Sequence, residues 1–250
     1  MDNVKSFLNY LKVYKNYSEL TIKNYYNDLT EFSLYIKKDL TRVKKEDIKS
    51  YLKYLFDKDN SNRTVSRKIS TLKSFYKYLK ENDVIKFSPA LSIKYPKADK
   101  KLPNFVHYNE LESMINATKK DTFYERDDLI IELMYATGVR VSELVNINLD
   151  DIDFETNSIR ILGKGSYMRT VYFGEYARDA IFKYMHGLRK KLLNGKESEY
   201  LFLNKNGNNI TTRGIAKIID KIVSETEVKT KVSPHTLRHT FATHLLDNGC

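Results

Sequence analysis

Cysteine is all but absent from this 250-residue chain, and its single copy, Cys250, is the last residue. A lone thiol excludes an internal disulfide and fits a reducing compartment. Long apolar runs are missing too. The opening stretch, "MDNVKSFLNYLKVYKNYSEL", scatters charges through its apolar positions, and no later segment reaches the length of a membrane span. These absences point to a soluble cytoplasmic protein with no membrane partner. Acidic residues are in short supply: 32 Asp and Glu face 43 Lys and Arg, for a formal net charge of +11. The deficit is uneven. Met1 to Lys100 holds 22 basic against 12 acidic residues, whereas the remainder is almost balanced at 21 against 20. A basic first part joined to a near-neutral second part suggests a polyanion-binding module attached to something less basic, although a lysine-rich solvated surface has the same composition.

Proline is scarce, and three of the four prolines fall in "FSPALSIKYPKADKKLPNFVHYNE", a stretch without helical period that reads as a linker. Before it, apolar residues recur at three- and four-residue spacing. Val4, Phe7, Leu8, Leu11 and Tyr14 form one set, and Ile22, Tyr25, Leu29, Phe32 and Ile36 form the next. Two more helices are expected over 46–56 and 62–80. On the last of these, Val65, Ile69, Leu72, Tyr76 and Leu79 gather on one side, while Arg63, Ser66, Arg67, Ser70, Ser74 and Lys77 gather on the other. Small hydroxyls mixed with cations allow close approach to a phosphate backbone; a solvated helix face is the alternative. After the linker, helices are expected over 109–117 and 123–136, with a break at Gly138 and a short helix beyond it. "SIRIL" and "MRTVYF" then read as strands of a hairpin, and further helices follow over 175–193, 211–224 and 234–248, the last capped by Ser233 with Pro234 in its first turn.

Three short stretches concentrate reactive side chains. In "YATGVRVSELVNI", Arg140 follows a helix-breaking glycine and Glu143 stands one turn on, placed to hold a guanidinium; the same spacing also describes an ordinary surface pair. "GKGSYMRT" sets Lys164 between two glycines at a hairpin tip, where it could reach a substrate or serve only as turn chemistry. In "SPHTLRHTFATHLLDNGC", His235, Arg238, His239 and Ala242 share one helical sector, and Leu237, Phe241, His244 and Leu245 occupy the other. His235 and His239 have the i,i+4 spacing of zinc ligands but lack the intervening glutamate, and His244 faces away, so no metal is expected. A rival acidic cluster in "LDDIDFE", Asp150, Asp151 and Asp153, could seat Mg²⁺ as in a nuclease, but its place between a helix and a strand favours turn and cap chemistry.

Taken in order, "ATGVRVSEL", "LDDIDFETNSIRILGKGSYMRTV" and "SPHTLRHTFATHLLDNG" resemble the tyrosine recombinase (phage-integrase) family, in particular its Xer-type members, and "NRTVSRKISTLKSFYKYL" is similar to the family's helical core-binding domain. The resemblance spans essentially the whole chain. It implies a mainly α fold with a small antiparallel β-sheet in the second domain, arranged as a two-domain C-shaped DNA clamp. The expected division is a helical, SAM-like core-binding domain over 1–88, a linker over 89–106 and an α+β catalytic domain over 107–250. The implied activity is site-specific DNA recombination, with strand cleavage and rejoining through a 3′-phosphotyrosyl intermediate and with no cofactor. Arg140 and Arg238 match the arginines that hold the nonbridging oxygens of the scissile phosphodiester, and Lys164 matches the lysine that protonates the leaving 5′ oxygen. His235 matches the histidine of the His-x-x-Arg motif, and Glu143 the acidic residue supporting the first arginine. Double-stranded DNA and other recombinase protomers, in a synaptic tetramer, are the implied partners. A non-catalytic DNA-binding protein of the same fold is the alternative.

The family's pattern continues past a stretch like "HLLDNG" to a further helix bearing the tyrosine nucleophile, and none of the 19 tyrosines here lies in that context. The expectation is a recombinase sequence that stops short of its nucleophile. These 250 residues should therefore shift a duplex carrying their site on a native gel and leave no denaturation-resistant adduct. A resistant adduct would place the nucleophile among the 19 tyrosines.

Overall fold

The computed structural model describes residues 2–97, 105–119, 121–163, 165 and 167–249. The chain divides into two compact units, Met1–Lys101 and Leu102–Cys250. No helix among the described residues is long and apolar enough to cross a membrane.

The first unit is built from helices α1 (Asp2–Val13), α2 (Glu19–Ile36), α3 (Lys45–Asp57) and α4 (Asn62–Glu81). Serine starts two of them, because its hydroxyl can accept from a backbone N–H that the first turn leaves without a partner. Ser18 Oγ takes the N–H of Thr21 and Ser61 Oγ that of Thr64. The apolar spacing resolves into one core in which Phe7, Leu29, Phe32, Ile48, Tyr51, Val65, Phe75, Tyr76 and Leu79 are fully buried. Tyr14 departs from its expected place. The helix ends at Val13, and the ring beyond it is 76% exposed.

Beneath α4 lies a charged network that apolar periodicity does not show. Asp28 on α2 is 3% exposed and accepts from Arg67, from Lys68 Nζ at 3.3 Å and from Thr71 Oγ1 at 2.9 Å. Lys68, also buried, reaches Glu31 at 2.6 Å, and Tyr51 donates to the same carboxylate at 3.1 Å. A buried ion pair with its remaining lone pairs filled resists loss of either partner, since the survivor is left charged and dry.

The second unit comprises α5 (Tyr108–Thr118), α6 (Tyr124–Thr137), α7 (Val141–Leu144), β1 (Ile152–Asp153), β2 (Ser158–Leu162), β3 (Met168–Tyr172), α8 (Glu175–His186), α9 (Leu188–Leu193), α10 (Thr212–Ser224) and α11 (Pro234–Asp247). Helix α6 buries Leu129, Ile130, Ile131, Leu133 and Met134 on several sides, as a central helix must, together with the Arg126–Asp127 pair in its first turn. The three strands form an antiparallel sheet in the order β1-β2-β3. Its register pairs Ile159 with Val171 and Ile161 with Arg169, which puts Arg169 on the same face as the two buried isoleucines. The helix expected over 175–193 is two helices, broken at Gly187, where the Glu125 carboxylate accepts the first N–H of α9, that of Leu188, at 2.6 Å. Arg189 is buried and donates to the carbonyls of Ser198, Tyr200 and Leu201, which fastens the segment after α9 without regular structure.

Replacing Asp28 with alanine is expected to cost roughly 3–5 kcal/mol, read as loss of hydrogen-exchange protection in α2 and α4. Protection unchanged from the parent chain would contradict the network's role.

Candidate functional site

The site grows from the end of α6. Gly138 has φ +58°, and its N–H donates to the Met134 carbonyl at 3.1 Å, a left-handed helix end that favours glycine. A Cβ at this position would also lie 2.2 Å from Phe241 Cδ1 on α11, so the helix end and α11 meet only because the side chain is a hydrogen. Val139 is buried and turns the chain, and Arg140 then caps α7 from an extended backbone conformation, φ −73° and ψ 149°.

Glu143 gathers the arginines. Its carboxylate, 5% exposed, accepts the backbone N–H of Arg140 at 2.8 Å and the same residue's Nη1 at 2.8 Å. Arg169 reaches it from β3 with two parallel bonds, Nη1 to Oε1 at 3.0 Å and Nη2 to Oε2 at 2.7 Å. Burial opposes the negative charge, but the bonds from Arg169 and from the backbone and side chain of Arg140 outweigh it and hold the carboxyl down at about 2. Arg238, from α11, donates to the Gly138 carbonyl. Its pKa is lowered first by burial and then by the charge of Arg140, with Arg169 adding to the repulsion. Two guanidinium groups on one carboxylate, with Arg238 on the Gly138 carbonyl beside them, leave an excess of positive charge, and about half of the Arg140 side chain remains exposed. Such a cluster can bind an oxyanion through forked, permanently charged donors.

The remaining expected site residues are placed as follows. Ser233 Oγ accepts from Thr236 N and Pro234 opens α11, so His235 stands exposed in the first turn, on the side of the helix that carries Arg238. Lys164 lies outside the described residues. On α4, Arg63 is exposed and Ser66 half-buried, and Lys77 is exposed with Glu81 at 3.6 Å. Arg67 and Ser70 are engaged within the fold: Arg67 pairs with Asp28, and Ser70 Oγ donates to the Ser66 carbonyl at 3.0 Å. His244 is buried, stacked 3.9 Å from the Tyr108 ring, with its Nδ1 3.1 Å from the Tyr135 hydroxyl. The acidic cluster is turn chemistry. Asp151 accepts from the N–H of Asn148 and Asp153 from those of Glu155 and Thr156. Among the described residues no group of three or more His, Cys, Asp or Glu is arranged to hold a metal.

Arg169 was not among the expected site residues, though its signal is present. In "MRTVYF" the alternation puts Arg169 on the side of Val171 and Phe173, and a cation facing inward on a strand requires a carboxylate.

The Glu143 carboxyl titrates near 2 in the folded chain, below its ordinary 4.5. Its contribution to stability is therefore complete above the ordinary value and is lost as pH falls from there through about 2. Glu143→Gln is expected to cost roughly 2–4 kcal/mol near neutrality and to remove this component of the acid limb in denaturant unfolding. An acid limb identical to that of the parent chain would contradict the assignment.

Residues 104–250 match the phage integrase family, and residues 4–83 match the phage integrase N-terminal SAM-like domain. The tyrosine recombinase XerC of Staphylococcus haemolyticus (strain JCSC1435) is 42% identical over 248 residues, covering 98% of this chain and 83% of that protein. Solved structures that share the fold include two recombinase–DNA complexes. One is the XerH site-specific recombinase bound to its difH substrate, with TM-score 0.73 and 23% identity over 94% of this chain and 70% of that one. The other is the Tn1549 transposon integrase in complex with circular intermediate DNA, with TM-score 0.74 and 19% identity over 99% of this chain and 87% of that one. With Arg140 and Arg169 sharing the glutamate of the "GVRVSEL" motif and Arg238 bonded to the turn before it, this chain belongs to the phage integrase family and is a tyrosine-type site-specific recombinase of the Xer kind.

Proposed function

We propose that this recombinase binds double-stranded DNA through both units and places one phosphodiester against Arg140 and Arg238. The observation that carries this reading is the pairing of Arg140 and Arg169 on the buried carboxylate of Glu143, with Arg238 bonded to the Gly138 carbonyl two residues before Arg140. A phosphodiester repels nucleophiles, and attack at phosphorus loads further negative charge onto its nonbridging oxygens. Two fixed guanidinium forks stabilise that charge without a metal and without reorganising as it develops. Arg140 and Arg238 are assigned to those oxygens. Lys164 is assigned to donate a proton to the leaving 5′ oxygen, and His235 to acid–base or hydrogen-bonding work beside Arg238. Glu143 supports Arg140. A tyrosine hydroxyl gives its proton to a base, the role assigned to His235, and bonds to phosphorus as the P–O5′ bond breaks and the 5′ oxygen takes a proton from Lys164. The 3′-phosphotyrosyl ester conserves the bond energy until a 5′ hydroxyl returns, so neither ATP nor a cofactor enters.

In this reading residues 1–88 form the core-binding domain, 89–106 the linker and 107–250 the catalytic domain. Arg63, Ser66 and Lys77 approach the phosphate backbone directly, Arg67 contributes its charge while anchored to Asp28, and Ser70 helps to shape the α4 surface. Recombination joins two duplexes, so several protomers, four in the synaptic complex, act together in the cytoplasm.

Two measurements test this. DNA affinity should fall steeply with salt, with a log–log slope of about −0.9 per neutralised phosphate; a flat titration would contradict a phosphate footprint. In a cleavage-competent preparation of the recombinase, Arg238→Ala should lower strand cleavage about 10²–10³-fold while most DNA affinity persists, because the rest of the footprint is untouched. Loss of binding in step with cleavage would contradict the assignment.

A further inference from the structure

Glu143 has only two carboxylate oxygens, and Arg140 uses both, one through its backbone N–H and one through its guanidinium. Arg169 bonds to the same two oxygens from the opposite element, the strand β3, and is 37% exposed. The carboxylate plane is therefore fixed by a fork that belongs to neither α7 nor α11. The hairpin closes onto this pair. Gly163, directly after β2, donates its N–H to the Tyr167 carbonyl at 2.8 Å, and a Cβ on it would lie 3.1 Å from Arg169 Nη1 and 3.7 Å from Glu143 Oε1. Gly163 immediately precedes Lys164 in the sequence.

We propose that Arg169 is a positioning residue for the recombination reaction: by forking onto Glu143 it fixes the orientation of Arg140 and ties the β2–β3 hairpin to it. The inference rests on the reading of Arg140 as a phosphate-binding group. Two physical effects follow from the shared carboxylate. A carboxylate held by one arginine rotates with it, whereas one held from two sides orients each arginine against the other. A carboxylate divided between two cations also leaves Arg140 incompletely neutralised, so its charge remains available to an oxyanion. A purely structural ion pair predicts lost stability on mutation and nothing more. A positioning role predicts that losing Arg169 reproduces part of the loss of Arg140.

The test uses Arg169→Gln, Arg169→Lys, Arg140→Gln and the double variant Arg140→Gln/Arg169→Gln. In the 250-residue chain, carbon-detected NMR follows the Glu143 carboxyl titration and the Arg140 Nε–H resonance. In a cleavage-competent preparation of the recombinase, the first-order rate of cleaving a nicked duplex is measured at saturating DNA. With Arg169→Gln, the Glu143 midpoint should rise from about 2, the Arg140 resonance should shift, and cleavage should slow about 100-fold with DNA affinity little changed. Arg169→Lys should fall between the two, because it restores charge without the fork. The double variant should cleave no more slowly than Arg140→Gln alone. Unchanged Glu143 and Arg140 signals in Arg169→Gln would overturn the proposal, as would losses that multiply in the double variant. Parental cleavage by Arg140→Gln would instead remove the phosphate-binding reading, leaving the NMR arm to decide whether Arg169 orients Arg140.

Discussion

Everything at the candidate site depends on one desolvated carboxylate that stays ionised. Glu143 is 5% exposed, a setting that by itself favours the neutral acid, and it remains charged because Arg140 and Arg169 surround it with donors. The charge organises distant parts of the chain. Arg140 belongs to the turn after α6, Arg169 to β3, and Arg238 on α11 is tied to the same turn through the Gly138 carbonyl. Remove the negative charge and Arg140 and Arg169 lose their shared partner, while the charges of both already weigh against that of Arg238.

The backbone around that carboxylate is arranged to let elements approach closely. At Gly138 a left-handed helix end lies against the Phe241 ring, and at Gly163 the hairpin lies against the Arg169 guanidinium. Rigid elements hold a reactive geometry better than free loops do, and here Arg169 comes from a strand, Arg238 from a capped helix, and Arg140 from a tight turn bonded to Glu143 through both backbone and side chain. The first unit uses a related device for a different end. Asp28 and Glu31 hold Arg67 and Lys68 from beneath α4, so part of the basic charge on that helix is anchored rather than free in solvent.

Much of this was legible in the sequence, and the failures have physical causes. Periodicity located the helices because each buries one stripe, and "SIRIL" and "MRTVYF" read as strands because alternation is strong there. The glycine, arginine and glutamate of "TGVRVSE" gave the pair correctly, since an i,i+3 contact within one turn is local. Arg169 went unrecognised because its partner is 26 residues away in sequence. The Asp28 network escaped for the same reason: a helical wheel shows that Arg67 faces away from the apolar stripe, but not that another helix offers it a buried carboxylate. The break at Gly187 was missed because it depends on Glu125, a side chain from α6. Local chemistry is written locally, and long-range ion pairs are not.

An experimental structure of the chain bound to a duplex that it recognises tests the proposed phosphate site most directly. One backbone phosphate is expected with its nonbridging oxygens within hydrogen-bonding distance of both Arg140 and Arg238, while Arg169 keeps its fork on Glu143. A bound duplex whose phosphates all lie away from Arg140 and Arg238, or a Glu143 that has released Arg140, would contradict it.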